Sequence, residues 1–166
     1  MAMSAATIAR AFPLVTALAV GLALGACARN NADDLNGAYG AAAPGSLQEF
    51  AASVGDRVYF ETDSTELTAT GQATLDKQAA WLNQYGRYTF TIEGHADERG
   101  TREYNFALGA RRAETTKNYL IAKGVSAARI KTISYGKERP VAVCNDISCW
   151  SQNRRAVTVL AGAAGS

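Results

Sequence analysis

The sequence has few of the side chains on which most hydrolases and nucleic-acid-binding proteins depend. Its 166 residues include one His, three Cys, three Pro and two Trp, and 17 Lys and Arg nearly balance 15 Asp and Glu. A zinc hydrolase needs about three protein ligands and a base, so a single His argues against one. A near-neutral chain also lacks the strongly basic surface that binds nucleic acid. The length allows one domain rather than two.

The first apolar segment is too short to span a membrane as a helix. It covers residues 12–24 and follows Arg10, whereas a spanning helix needs about 18 or more apolar residues. A basic residue, a short apolar run and the small residues Gly25 and Ala26 are typical of a secretory signal peptide. We expect residues 1–26 to be removed, which leaves 17 − 1 = 16 basic against 15 acidic residues. An ordinary cleaved signal and an uncleaved anchor are the alternatives.

The end of this segment, Leu24-Gly25-Ala26-Cys27, resembles the bacterial lipobox, in which the Cys is lipidated. The resemblance implies that Cys27 becomes an acylated N-terminus carrying palmitate, and two or more acyl chains anchor a protein stably. Ala28 follows, where an Asp would retain an enterobacterial lipoprotein in the inner membrane. We therefore expect an outer-membrane lipoprotein whose domain faces the periplasm.

Residues 27–53 are predicted to form the lipidated N-terminus and a flexible tether. Turn-forming residues are scattered through this segment, including Pro44-Gly45-Ser46, and few side chains there could be buried. A flexible chain of this length reaches on the order of 25–30 Å. Such a tether would let a membrane-bound domain find a nearby target.

Residues 54–161 have the patterns of a folded domain, and residues 162–166 are expected to be a tail. Short β-branched and aromatic runs predict four strands, over residues 56–60, 88–93, 130–135 and 156–160. Apolar residues at helical spacing predict two helices, each ended by a Gly, over residues 70–85 and 101–123. The order β-α-β-α-β-β predicts an α/β two-layer sandwich, with two main helices on one face of a four-stranded mixed sheet. Each β-α-β step predicts parallel neighbouring strands with a right-handed crossover.

Cys144 and Cys149 are the remaining cysteines. An even pair in an exported protein predicts a disulfide, here in the loop between the last two strands. A metal site is the alternative, but two Cys with no His nearby make a poor one. We expect no metal and no cofactor.

The densest polar segment follows the second predicted strand. Asp97 is expected in a turn at the strand end, and Asn105, Leu108 and Arg112 share one face of the following helix at i, i+3 and i+7. A carboxylate and a guanidinium so placed could flank one pocket. Such a pair suits a zwitterionic ligand, because the carboxylate accepts from an ammonium and the Arg fork binds a carboxylate bidentately.

These residues belong to longer motifs, Asp97-Glu98-Arg99-Gly100-Thr101, Glu103-Tyr104-Asn105, Ala107-Leu108-Gly109 and Arg111-Arg112-Ala113. With Ser134-Tyr135-Gly136-Lys137-Glu138-Arg139-Pro140 and Ser151-Gln152-Asn153-Arg154-Arg155-Ala156-Val157, they resemble the signature of the OmpA-like peptidoglycan-binding domain family. The resemblance covers about residues 54–160. It implies non-covalent binding of diaminopimelate in the peptidoglycan stem peptide, without catalysis.

By position, the resemblance implies that Asp97 binds the amino group of diaminopimelate and Arg112 its carboxylate. It implies five further pocket residues: Asp63, Phe60, Thr101, Asn105 and Leu108. Lipid-anchored members of the family also imply a protein partner, the periplasmic propeller protein TolB of the Tol system, and a role in envelope integrity and cell division. A domain that binds only a protein partner, with incidental wall contact, is the rival interpretation.

Several of these residues have structural alternatives. Asp97 could merely cap the following helix, and Arg112 could be a solvated or salt-bridged helix residue. His95 is expected to form hydrogen bonds within the loop. One of Arg154 and Arg155 is expected to be buried and paired, and the other exposed near the pocket.

A catalytic interpretation would use Ser64, His95 and Asp97 as a triad in a wall hydrolase. No Gly-x-Ser-x-Gly elbow surrounds Ser64, so the sequence does not favour this chemistry. Trp81 and Trp150 are expected to be packing residues.

Overall fold

The computed structural model describes residues 42–161. The predicted signal segment, the lipidation site Cys27, the first part of the tether and the tail at 162–166 lie outside these residues. Within the described range, no helix is both long enough and apolar enough to cross a membrane.

The elements follow the predicted order, with short additions. They are α1 (Leu47–Glu49) continued by a π-helical turn (Phe50–Gly55), β1 (Arg57–Tyr59), α2 (Ala69–Gln84), β2 (Phe90–His95), α3 (Arg102–Ala122), a 3₁₀ turn (Ala127–Arg129), β3 (Ile130–Gly136), α4 (Ile147–Asn153) and β4 (Arg155–Leu160). The α/β class, the mixed four-stranded sheet and the two main helices are confirmed. Helix α4 was not predicted, because seven residues are too few to show a helical period.

The lateral order of the sheet is β1-β4-β2-β3. Strands β2 and β3 pair in parallel, and β4 is antiparallel to both β1 and β2. The prediction that each β-α-β step joins neighbouring strands is therefore right for β2-α3-β3 and wrong for β1-α2-β2. An antiparallel β4 can insert between two parallel strands, and local sequence patterns do not report lateral position.

Helices α2 and α3 cover one face of the sheet. Each is preceded by a Thr that caps it, because the Thr side chain accepts a hydrogen bond from a backbone N–H in the first turn, Thr68 from Gly71 at 3.0 Å and Thr101 from Tyr104 at 3.2 Å. The core between helices and sheet is apolar and includes Val58, Leu75, Leu82, Phe90, Ile92, Leu120 and Ile130.

Helix α3 approaches the sheet unusually closely through two glycines. A Cβ on Gly94 would lie 1.8 Å from the backbone oxygen of Gly109, and a Cβ on Gly109 would lie 2.5 Å from Ser134 Oγ. Neither position can therefore hold a side chain without a shift of the backbone. The contact presses the helix face that carries Arg112 against the end of β2.

The folded domain begins before the predicted boundary at residue 54. Phe50 is buried with its ring centroid 4.9 Å from that of Trp81, and the Tyr88 hydroxyl donates to the Gly45 carbonyl at 2.6 Å. The prediction that few side chains in this segment could be buried was wrong at its end. One aromatic residue among small and polar neighbours gives no periodic signal. Trp81 lies in the core, as predicted.

Candidate ligand-binding pocket

A pocket of about 280 Å³ opens at the C-terminal end of β2, beside the first turns of α3. Its lining combines two carboxylates and two guanidinium groups with neutral residues: Thr62, Asp63, Asp97, Arg99, Gly100, Tyr104, Asn105, Leu108 and Arg112. The structure thus brings together five of the predicted site residues, namely Asp63, Asp97, Asn105, Leu108 and Arg112. Sequence reasoning missed the other four lining residues.

The Asp97 carboxylate is largely buried and lies between two arginines. Arg99 donates from Nε to Oδ1 at 3.1 Å and from Nη2 to Oδ2 at 2.7 Å, and its backbone N–H donates to Oδ1 at 3.2 Å. Nη1 of Arg154 lies 3.4 Å from Oδ2. Burial raises the pKa of Asp97, but the hydrogen bonds from Arg99 outweigh it and hold the pKa below its ordinary value. Asp97 is ionised at neutral pH, and it does not cap α3, because Thr101 does.

Arg112 is completely buried, so it is not a solvated helix residue. Its guanidinium donates to three backbone carbonyls, from Nε to Ser64 at 2.9 Å, from Nη1 to His95 at 2.9 Å and from Nη2 to Glu61 at 3.2 Å. Burial, and then the positive charge of Arg154, lower the pKa of Arg112 to about 10. Arg112 therefore remains a cation at neutral pH, held in a fixed orientation.

Asp63 lies on the turn after β1 with a backbone φ of 54°. This left-handed conformation is uncommon outside Gly, although Asp tolerates it better than most residues. The turn directs the carboxylate to the pocket, where the Tyr104 hydroxyl donates a hydrogen bond to it. Non-Gly residues in this conformation are concentrated at functional sites.

The remaining predicted residues support the pocket in different ways. Asn105 donates from Nδ2 to the Arg99 carbonyl at 2.7 Å and so fixes the turn after β2. Thr101 caps α3 and is not part of the lining. Phe60 is buried behind the lining, with its ring centroid 5.2 Å from the guanidinium carbon of Arg112.

Both Arg154 and Arg155 are buried, so the expectation that one of them is exposed was wrong. Arg154 donates from Nε to the Phe60 carbonyl at 2.9 Å, and its Nη1 contacts the buried side of the Asp97 carboxylate. Arg155 points to the other face of the sheet and donates to the Arg139 carbonyl at 3.2 Å. The chain segment after β3 thus covers a side chain that the strand alone would leave exposed.

His95 is the last residue of β2 and is buried. Neither ring nitrogen has a hydrogen-bond partner among residues 42–161, so the expectation of a loop hydrogen bond was wrong. Burial, and then the charges of Arg155 and Arg139, lower its pKa to about 4. Ser64 Oγ accepts from the Glu66 backbone N–H at 3.0 Å. The triad interpretation therefore has no hydrogen bond to support it in this part of the chain.

The predicted disulfide between Cys144 and Cys149 is present, with the Cα atoms 5.7 Å apart. Helix α4 begins inside this ring, where Asp146 accepts a hydrogen bond from the Ser148 backbone N–H at 2.7 Å. It carries Trp150, which is half-buried rather than enclosed in the interior. The guanidinium carbon of Arg99 lies 4.2 Å from the Trp150 ring centroid, so α4 contacts the pocket through Arg99.

Comparison with known proteins agrees with this architecture. The sequence profile of the OmpA family matches residues 59–154. The peptidoglycan-associated lipoprotein of Mesorhizobium japonicum is 62% identical over 157 residues, which cover 91% of this chain and 93% of that protein. The protein of the same name from Rhizobium meliloti is 62% identical over 162 residues, covering 95% of this chain and 92% of that protein.

The crystal structure of the peptidoglycan-associated lipoprotein from Burkholderia pseudomallei is also similar. It matches with a TM-score of 0.64 and 41% identity, covering 67% of this chain and 96% of that chain. Proteins of this kind are structural, non-enzymatic components of the cell envelope. The chain belongs to the OmpA family, in the branch formed by the peptidoglycan-associated lipoproteins.

Proposed function

We propose that the domain binds the diaminopimelate residue of peptidoglycan stem peptides non-covalently and so tethers the outer membrane to the cell wall. The observation that carries this proposal is the pocket in which Asp97 and Arg112 present opposite charges. The free end of diaminopimelate bears an ammonium and a carboxylate on one carbon. A pocket with a fixed anion and a fixed cation matches that pattern.

The hydrogen bonds of Arg112 leave it suited to a carboxylate. A guanidinium has about five N–H donors, and three of those of Arg112 already donate to carbonyls. One N–H on each of Nη1 and Nη2 is not used in these bonds and can donate to a ligand carboxylate. Because the carbonyls already fix the side chain, binding a carboxylate here immobilises little that was free.

The charges needed for recognition persist at neutral pH. The pKa of Asp97 lies below its ordinary value, and that of Arg112 is about 10. Asp63 adds a second carboxylate to the lining of the pocket, hydrogen-bonded by Tyr104. The stem peptide has several polar groups besides its zwitterionic end, and we expect Asp63 and Tyr104 to contact them.

The membrane part of the proposal concerns the N-terminal segment. The lipobox ending at Cys27 and the name lipoprotein carried by the relatives support a cleaved signal peptide, palmitate on Cys27 and an outer-membrane anchor. Replacement of Cys27 by Ser should move the protein out of the outer-membrane fraction.

The family resemblance supports TolB and the Tol-Pal system as partners in envelope integrity and cell division.

Sedimentation with purified sacculi tests the proposed pocket. Asp97→Asn should weaken binding about 30-fold to several thousand-fold, because losing one partner of a desolvated charge pair costs about 2–5 kcal/mol. Asp56→Asn is the matched control, since Asp56 also binds an arginine, Arg57, at 2.7 Å but lies outside the pocket. Thermal unfolding of both variants checks that they remain folded. Wild-type sedimentation by a folded Asp97→Asn protein would place wall binding elsewhere.

A second arm separates wall recognition from protein interaction. Stem peptides with lysine in place of diaminopimelate keep the ammonium but lack the terminal carboxylate, so the parent should bind them much more weakly. A domain that contacts only protein partners would remain in the supernatant when the sacculi are sedimented, and it would bind neither peptide.

A further inference from the structure

Asp97 is paired with two arginines that differ sharply in their surroundings. The Arg154 side chain is buried, and its Nε is bonded to the Phe60 carbonyl. The Arg99 side chain is 40% exposed, and beyond Asp97 it rests on the face of Trp150. Arg154 is therefore a permanent part of the structure, whereas solvent can replace the contacts of the Arg99 side chain.

All the acceptor positions of the Asp97 carboxylate are in use. An ionised carboxylate offers about four lone-pair positions. Oδ1 accepts from the backbone N–H and Nε of Arg99, and Oδ2 accepts from Nη2 of Arg99 and Nη1 of Arg154. A ligand ammonium can reach this carboxylate only if one of these donors leaves, and the Arg99 guanidinium is the one that can.

We propose that the Arg99 side chain is an internal counter-ion that occupies the ammonium position of the pocket and is displaced when a ligand binds. This inference rests on the proposed function, in which Asp97 receives the ammonium of diaminopimelate. The exchange replaces one cation by another, so the buried carboxylate has two cationic partners both before and after binding. The indole of Trp150 gives the displaced guanidinium a surface on which to remain.

Displacement lowers the affinity for any ligand that presents an ammonium. If the pocket is competent only when Arg99 has left Asp97, the observed dissociation constant is raised by the inverse of the open fraction. A partly exposed ion pair of this kind corresponds to a factor of about two to five. A ligand without the ammonium does not need Arg99 to leave and is free of this cost.

The experiment compares Arg99→Gln with the parent, using the full-length lipoprotein in detergent. Two soluble stem peptides serve as probes: one contains diaminopimelate, and in the other the side-chain amino group is replaced by hydrogen. Arg102→Gln is the matched control, because Arg102 forms an exposed pair with Glu138 at 3.0 Å and does not line this pocket. Calorimetry gives the dissociation constants, and stopped-flow mixing gives the rates.

Arg99→Gln should bind the diaminopimelate peptide about two to five times more tightly, through faster association with unchanged dissociation. It should bind the peptide without the amino group as the parent does, and Arg102→Gln should match the parent with both. Weaker binding of the diaminopimelate peptide by Arg99→Gln, or an equal effect on both peptides, would overturn the inference. Unchanged affinity for both peptides would also overturn it.

Asp97→Asn in the same titration separates the two proposals. If Asp97→Asn binds the diaminopimelate peptide much more weakly than the parent and Arg99→Gln does not bind it more tightly, the proposed function stands and the inference about Arg99 is wrong. If Asp97→Asn binds that peptide like the parent, Asp97 does not receive the ammonium, and both proposals are wrong.

Discussion

Arg112 at the pocket end of the sheet and Arg129 at the opposite end form the same kind of hydrogen-bond pattern. Each guanidinium donates from three nitrogens to three backbone carbonyls, those of Glu61, Ser64 and His95 for Arg112 and those of Leu82, Tyr85 and Tyr88 for Arg129. Burial lowers the pKa of both. Both arginines join chain segments that are distant in sequence.

The neighbours of the two arginines differ. Arg112 shares its pocket with the carboxylates of Asp63 and Asp97. Arg129 forms no ion pair within the described part of the chain, and its guanidinium carbon lies 5.9 Å from the ring centroid of Phe90. An arginine whose guanidinium donates to three backbone carbonyls can therefore have a purely structural role. The carboxylates beside Arg112 are what make its end of the domain a candidate binding site.

The largest effect is expected from Arg112→Ala. It should lower the free energy of unfolding by about 3–5 kcal/mol, because three carbonyls at a buried position lose their donor. Arg129→Ala should cost less, since Arg129 is half-exposed and water can replace some of its bonds. Urea unfolding measures both. Under conditions where both proteins are folded, only Arg112→Ala should lose sacculus binding, and equal losses would remove the distinction between the two ends.

Phe50→Ala tests whether the end opposite the pocket affects stability without affecting binding. The change should lower the free energy of unfolding by about 3 kcal/mol, because it leaves a cavity beside Trp81 in the core. A chain that starts at Val54 should show a similar loss relative to one that starts at Ala42. Denaturant unfolding with parallel sacculus sedimentation is the measurement. A protein as stable as the parent would mean that Phe50 is not part of the core.

The only His of the chain lies at the pocket end, so this end should respond to mild acid. The folded-state pKa of His95 is about 4, below its ordinary value of 6.5. The unfolded chain therefore takes up the proton first, and stability should fall as the pH drops from about 6.5 to about 4. The loss is on the order of 2–3 kcal/mol. His95→Phe should remove this part of the pH dependence in urea unfolding, and an unchanged profile would contradict the assignment.

The smallest effect is expected from the disulfide. Replacing Cys144 and Cys149 together by Ser should lower the free energy of unfolding by about 2 kcal/mol or less, because the closed loop is short. Sacculus binding should be largely retained, since Asp97 and Arg112 lie on other elements. Thiol labelling of the denatured, unreduced protein provides an independent check, because two reactive thiols from this pair would show that the bridge does not form.

Local patterns predicted the order of the main elements, because apolar periodicity and turn residues act over a few positions. They did not place β4 between β1 and β2, since strand pairing joins residues far apart in sequence. They also missed the burial of Phe50, which depends on Trp81 more than 30 residues away. The features of the fold that local patterns did not predict depend on contacts between residues far apart in sequence.

In the pocket, too, local patterns predicted some residues and missed others. The spacing of Asn105, Leu108 and Arg112 predicted one helix face, and that face does line the pocket with Asp97. Arg99 was missed, because a charged residue in a turn shows nothing about the direction of its side chain. That direction depends on Asp97 on one side and on Trp150, on the unpredicted α4, on the other.

The contact between Gly45 and Tyr88 places the start of the described chain at the end of the sheet opposite the pocket. Tyr88 lies just before β2, and Asp97 lies just after it. Under the proposed function, the membrane would pull at the first point and the wall would hold the second, so the load would act between the two ends of the sheet, in the direction of β2. Ladder hydrogen bonds lie across the strand direction, and β2 pairs with a strand on each side. Such a load shears many bonds at once instead of opening them one by one, which suits a domain that transmits force between two layers of the envelope.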